Sequence, residues 1–213
     1  MKVGILWDLD GTLLDTLQDL ADGTNYALRA HGLPERSLEE VRRFVGNGAR
    51  NLILRAVEGR ADVDAVLETF YSYYNVHCQD KTGPYPGIPD ALAELGKKYP
   101  MAIVSNKPDS AVRSLCARYF PGIYARGESA GCPRKPNPEM VCQAMAAIGA
   151  ETCVYVGDSE VDVATAKNAD VPCLSVLWGF RDRAVLDQAG AEYFCDKAED
   201  LPRIIEKMIH QNS

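Results

Sequence analysis

The chain has 213 residues, 46% hydrophobic and 25% charged, an ordinary globular composition that supports one sizeable core and a satellite domain. Its net charge of −7 argues against general affinity for nucleic acid or an anionic membrane, so an anionic small ligand needs local positive charge. Seven cysteines, an odd number with no Cys-x-x-Cys pair, exclude zinc-finger spacing and a complete set of intrachain disulfides.

Val3-Gly4-Ile5-Leu6-Trp7 is a short continuous apolar run, which reads as a strand buried on both faces. Met1-Lys2 enters it at once, leaving no room for a signal peptide, and no apolar run reaches membrane-spanning length. The expected compartment is therefore a reduced cytoplasm. From Asp15 the pattern turns helical: Leu17, Leu20, Ala21, Ala27 and Leu28 recur at three- and four-residue spacing up to His31-Gly32. Ser37 and Glu40 form a capping box for a second helix ending at Phe44. Leu52, Ile53, Ala56 and Val57 mark a third helix, and Val63, Val66, Leu67, Phe70, Tyr73 and Tyr74 a fourth. Gly83-Pro84-Tyr85-Pro86-Gly87 then punctuates the chain. The region 15–82 reads as an all-helical insert, with 1–14 and 83–213 forming the other domain.

After the insert, strand and helix alternate. Helices are expected from Ala91 to Tyr99, from an Asp109 cap to Tyr119, from an Asn137 cap to Ile148, from Val161 to Ala169, from Asp182 to Ala189 and from Leu201 to His210. The strands between them are Met101–Val104, Ile123–Tyr124, Cys153–Val156, Cys173–Val176 and Tyr193–Phe194. Strands separated by single helices imply a parallel sheet in a three-layer, Rossmann-like α/β fold.

The polar clusters follow the strands. Asp8 and Asp10 stand at i and i+2 after the first strand, so both carboxylates reach one small volume. Two like charges so close need a cation or a shared proton, and Mg2+ suits oxygen ligands. Alone, the pair also reads as an acidic turn. Ser105-Asn106-Lys107 follows a later strand and Gly157-Asp158 another. In open parallel sheets the ligand crevice lies at these carboxyl ends. Asp158 and Asp162 share a face if their turn is helical. Lys135, within Pro133-Arg134-Lys135-Pro136-Asn137-Pro138, is stiffly presented; by itself it is an ordinary surface charge. His31, His77 and His210 belong to no motif and suit surface or cap positions.

In this order and spacing the clusters resemble the haloacid dehalogenase superfamily of phosphohydrolases, across the whole chain. Asp8-x-Asp10-Gly11-Thr12-Leu13 is similar to the first family motif, Ser105 to the second, Lys135 to the third, and Gly157-Asp158-Ser159-x-x-Asp162 to the fourth. Val45-Gly46-Asn47-Gly48, Ser105-Asn106-Lys107-Pro108 and Tyr85-Pro86-Gly87 resemble the phosphoglycolate phosphatase branch, whose helical cap follows the first motif. Trp7 departs from the usual Phe, and Asp170 stands where relatives carry Gly.

The resemblance implies Asp8 as nucleophile, Asp10 as acid and base, and Mg2+ held by Asp8, the Asp10 carbonyl and Asp158. It implies Ser105, the Asn106 backbone N–H and Lys135 as phosphoryl ligands, and Asp162 as an orienting residue behind them. It implies a small phosphorylated metabolite as substrate, and a monomer or homodimer. Gly46, Asn47, Gly48 and Arg50 in the cap are candidates for substrate specificity, or a plain helix connection. A pyrophosphatase, a sugar phosphomutase and a non-enzymatic phospho-ligand binder are the competing readings.

Overall fold

In a computed structural model, which describes residues 2–211, Val3–Trp7 forms strand β1 with its last four residues buried. Ile5 and Trp7 face one apolar cluster and Leu6 the other, so both faces of the strand are covered, as its uninterrupted apolar character requires. The chain separates into two compact units, 1–14 with 84–213, and 15–83.

The second unit holds helices α1 Leu17–Ala30, α2 Leu38–Phe44, α3 Gly48–Val57 and α4 Val63–His77. The Ser37/Glu40 capping box forms: the Glu40 N–H donates to Ser37 Oγ and the Ser37 N–H to Glu40 Oε2. Val66, Phe70 and Tyr74 of α4 are buried, and Gly23 of α1 lies against the Phe70 and Tyr74 rings. Asp15 is not helical. Leu14–Asp15 (β2) pairs instead with Gly83–Pro84 (β3), because the entering and leaving segments run side by side. The buried Asp19 carboxylate accepts the Lys81 N–H at 3.1 Å, the Thr82 N–H at 2.9 Å and the Thr82 hydroxyl at 2.8 Å.

The first unit continues with helix α5 Ile88–Leu95 and strand β4 Met101–Pro108, followed by α6 Asp109–Tyr119 and β5 Tyr124–Glu128. Next come α7 Glu139–Ile148, β6 Thr152–Gly157, α8 Glu160–Asn168 and β7 Cys173–Val176. Helix α9 Arg183–Ala189, β8 Tyr193–Cys195 and α10 Leu201–Gln211 complete it. Six strands form one parallel sheet in the order β5-β4-β1-β6-β7-β8. Residues of α5, α6 and α10 cover one face, and residues of α7 and α8 the other. The unit is thus the three-layer Rossmann-like α/β fold expected. Strand order reverses around β1, which places a crevice at the carboxyl ends of β4, β1 and β6.

Several local expectations differ. Pro138 rather than Asn137 holds the cap position of α7, and β5 spans Tyr124–Glu128 rather than Ile123–Tyr124. Strand β4 runs four residues beyond Val104, carried by a register shift against β5. Asp109 does not cap α6: Pro108 holds the cap position, and Asp109 accepts from Gly127 N–H and Arg113. Helix α5 starts at Ile88, since Pro89 fits a first helical turn. Asp170 does adopt the left-handed conformation, at φ 55°. No helix among the described residues is long and apolar enough to cross a membrane.

Candidate active site

Asp8 continues β1, its N–H donating to the Val156 carbonyl at 2.8 Å. The chain then turns sharply at Gly11, where φ is +88° and a Cβ would collide with the Asp158 carboxylate. Only glycine meets both demands. The Leu13 and Leu14 N–H groups close the turn onto the Leu9 carbonyl. Thr12 Oγ1 donates to Asp158 Oδ1 at 3.1 Å, and the Phe180 N–H to Asp158 Oδ2 at 2.7 Å. The Trp178 indole donates to the Thr12 carbonyl, so the loop after β7 fastens the first turn and Asp158 together.

Lys135 is 4% exposed, and its ammonium lies 2.6 Å from Asp8 Oδ1, 2.8 Å from Asp162 Oδ1 and 3.0 Å from the Tyr155 hydroxyl. Its main chain is held by the Asn106 side chain, which accepts the Lys135 N–H at 2.8 Å and donates to the Lys135 carbonyl at 3.1 Å. Ser105 Oγ donates to Asp10 Oδ2 at 3.4 Å, and Lys107 Nζ stands 2.6 Å from Asp10 Oδ1. The structure therefore brings Asp8, Asp10, Ser105, Asn106, Lys135, Asp158 and Asp162 together at the ends of β1, β4 and β6.

Asp158 and Asp162 meet for a different reason than the sequence suggested. Ser159 between them is extended, at φ −131° and ψ 163°, so the turn is not helical. Asp162 instead reaches back as the third helical residue of a capping box, accepting from the Ser159 N–H and hydroxyl. Gly46, Asn47, Gly48 and Arg50 belong to the helical unit. Gly46 and Gly48 have positive φ, and Arg50 pairs with Asp64 at 3.1 Å within that unit.

Sequence reading missed three contributors. Tyr155 looked like one more apolar strand residue, yet its hydroxyl donates to Asp162 at 3.1 Å. The stretch Ser105-Asn106-Lys107 reads as a polar cluster after a strand, with the Asn106 backbone as a phosphoryl ligand, but the hold of the Asn106 side chain on Lys135 and the Lys107–Asp10 ion pair were not foreseen. The signal available was their polarity inside a strand that is buried from Ala102 to Lys107.

Ligand oxygens of Asp8, Asp158 and Asp162 all lie within 4.8 Å of one another and are buried, with the Lys135 ammonium paired to Asp8 and Asp162 and the Arg181 charge acting on Asp158. Burial, then the Asp162 charge, push the Asp8 carboxyl well above its usual range, although Lys135 opposes them. Burial and Asp162 likewise raise Asp158 to about 7. For Lys135, burial alone would lower the ammonium, but the Asp162 and Asp8 charges outweigh it and hold it well above its ordinary value. The cluster is thus short of positive charge. Asp162 accepts four hydrogen bonds, two on each oxygen, which fills a carboxylate. Asp8 and Asp158 retain capacity, so a hard divalent cation fits there, with Asp162 as its support.

A three-layer α/β unit with carboxylates and a buried lysine at its central strand ends has the form of a hydrolase active site. The family model for haloacid dehalogenase-like hydrolases matches residues 5–176. The phosphoglycolate phosphatase of Mesorhizobium japonicum is 36% identical over 195 residues, covering 85% of each chain. That of Rhodobacter capsulatus is 34% identical, covering 97% of this chain and 98% of its own. A crystal structure of a candidate phosphoglycolate phosphatase from Lactobacillus delbrueckii subsp. bulgaricus superposes with a TM-score of 0.91 at 37% identity, covering 96% of this chain and 99% of that one. The chain belongs to the haloacid dehalogenase-like hydrolases and is an enzyme of their phosphoglycolate phosphatase-like branch.

Proposed function

We propose that this enzyme is a Mg2+-dependent phosphatase that hydrolyses a small phosphomonoester, phosphoglycolate foremost, through an aspartyl-phosphate on Asp8. The observation that carries the reading is the buried Lys135 ammonium bridging Asp8 and Asp162 beside Asp158. In an apolar interior such a cation-poor carboxylate cluster is stable only if positive charge or protons arrive with its ligands.

The Asp8 carboxylate attacks phosphorus, forming the Asp8–phosphorus bond as the bond to the leaving oxygen breaks. Asp10, an ion-paired carboxylate beside Lys107 in the free enzyme, takes up a proton as the substrate binds and gives it to that oxygen, so the alcohol departs neutral. Asp10, now a carboxylate, takes a proton from water. The water oxygen attacks phosphorus, Asp8 leaves as a carboxylate, and inorganic phosphate is released. Ser105 Oγ, the Asn106 N–H and the Lys135 ammonium donate to the phosphoryl oxygens, where charge accumulates. Asp162, filled by four donors, keeps Lys135 in place. Asp8, Asp158 and the Asp10 carbonyl would hold a Mg2+, which would supply further positive charge against those oxygens.

Residues 15–82 are, on this reading, the helical cap domain and 1–14 with 83–213 the catalytic domain, with Gly46, Asn47, Gly48 and Arg50 serving specificity. The curated relatives bear the name phosphoglycolate phosphatase, which favours that ester over pyrophosphate or a hexose phosphate. Phosphate release from phosphoglycolate, p-nitrophenyl phosphate, pyrophosphate and glucose phosphates, with Mg2+ and with EDTA, tests the proposal. Turnover on phosphoglycolate that EDTA abolishes is expected. EDTA-resistant turnover refutes the metal requirement, and faster pyrophosphate cleavage refutes the substrate class.

A further inference from the structure

Lys107 has no task in the scheme above, yet it is as tightly built in as Lys135. Its ammonium and Asp10 Oδ1 are 2.6 Å apart, with side-chain exposures of 5% and 14%. The other Asp10 oxygen accepts from Ser105 Oγ, which itself accepts the Lys107 backbone N–H at 3.1 Å. A closed ring of Lys107, Ser105 and Asp10 results, engaging both ends of the lysine and both oxygens of the carboxylate.

The backbone beneath Lys107 is fixed as well. A Cβ on Gly127 would stand 2.6 Å from the Lys107 carbonyl oxygen and 2.6 Å from Asp109 Cα. Strand β5 therefore approaches this segment more closely than any side chain permits. The Gly127 N–H donates to Asp109 Oδ1 at 2.9 Å, and Pro108 restricts Lys107 to extended conformations. A lysine whose main chain is gripped on both sides delivers its ammonium to one place.

We propose that Lys107 is the positioning residue for Asp10: its ammonium fixes where the Asp10 carboxylate rests, and so governs both proton transfers that Asp10 performs. The inference rests on the acid–base role assigned to Asp10 above. The two buried lysines divide the carboxylates between them, Lys135 taking Asp8 and Asp162, and Lys107 taking Asp10. Without Lys107, the side-chain contact left to the Asp10 carboxylate among the described residues is the longer one from Ser105, at 3.4 Å. A lysine that instead touched the phosphoryl group would act on every phosphoester alike through KM.

The test is a double-mutant cycle on the full-length enzyme with Mg2+, using phosphoglycolate and p-nitrophenyl phosphate. Lys107→Met is expected to lower kcat on phosphoglycolate by about tenfold to a hundredfold, with KM changed by less than about twofold. The loss should be smaller on p-nitrophenyl phosphate, whose leaving group hardly needs a proton. Lys107→Arg should restore most of the rate. Asp10→Asn/Lys107→Met, which removes both charges and leaves no buried ion unpaired, should be no slower than Asp10→Asn alone. A double variant slower than Asp10→Asn by the full Lys107→Met factor overturns the positioning role, as does a KM increase shared by both substrates at unchanged kcat. Wild-type turnover in Asp10→Asn alone overturns the acid–base reading itself, and this inference with it.

Discussion

Replacing Lys135 with Met keeps the length of the side chain and removes the ammonium that touches three buried groups. Asp8 and Asp162, with side-chain exposures of 10% and 1%, then lose their cation while Asp158 stays nearby. Breaking a buried ion pair from one side costs about 3–5 kcal/mol, because the abandoned charge stays desolvated. That lowers the folded-to-unfolded ratio by a factor of about 150 to 5000. A domain of this size has about 5–15 kcal/mol in total, so the variant folds but is marginal. Urea unfolding followed by circular dichroism in EDTA at pH 8 measures the difference. The loss should shrink at pH 5, where Asp8 and Asp158, already raised by burial and by Asp162, relieve the crowding by taking up protons. Partial recovery by Mg2+ at pH 8 is also expected, since the metal replaces the missing charge. A loss below about 1 kcal/mol at pH 8 would refute the argument that Lys135 balances this cluster.

Four further outcomes are expected. Asp8→Asn removes the attacking anion and should lower turnover by several orders of magnitude with the fold intact; retention of more than a few per cent of activity would sink the covalent route. Asp10→Asn should damage phosphoglycolate hydrolysis more than p-nitrophenyl phosphate hydrolysis, and equal first-step losses on both would remove it from the acid role. Burial and the Asp162 charge push the Asp158 carboxyl up to about 7, against 3.8 for an ordinary aspartate. Between those values the unfolded chain has lost a proton that the folded one keeps. The Asp158 contribution to the stability of metal-stripped enzyme should therefore be lost as pH rises from about 4 to about 7, and thermal melts in which stability rises over that window would contradict the assignment. Gly48→Val and Arg50→Ala should raise KM for phosphoglycolate and leave p-nitrophenyl phosphate nearly unchanged; parallel effects on both would make residues 46–50 a simple connection.

What could be read in the sequence was whatever depends on local pattern. Strands β1, β6 and β7 announce themselves because both faces are covered, so apolar residues need not alternate. Asp8, Asp158 and Ser105 were visible because each ends an apolar run. Strand β4 was cut short at Val104 because Ser105, Asn106 and Lys107 are polar, and nothing local says that they are buried. Their burial is made by partners far along the chain, Lys135 for Asn106 and Asp10 for Lys107. Tyr155 was missed for the same reason, since its hydroxyl matters only once Lys135 and Asp162 arrive. Asp109 was expected as a helix cap on propensity, but the neighbouring Gly127 N–H offered a tertiary partner instead.

The helical unit leaves and rejoins the chain through one narrow point. Leu14–Asp15 and Gly83–Pro84 pair as a ribbon, and Asp19 gathers the Lys81 and Thr82 main chain onto the first helix. Its two ends are therefore already tied together by its own residues. Since closing a loop costs only about (3/2)RT ln n, a sheet that tolerates a short turn at this position tolerates a whole bundle nearly as well. The insert is thus a segment, 15–83, whose two ends meet in a ribbon of four residues, so its length adds little to the cost of bringing those ends together.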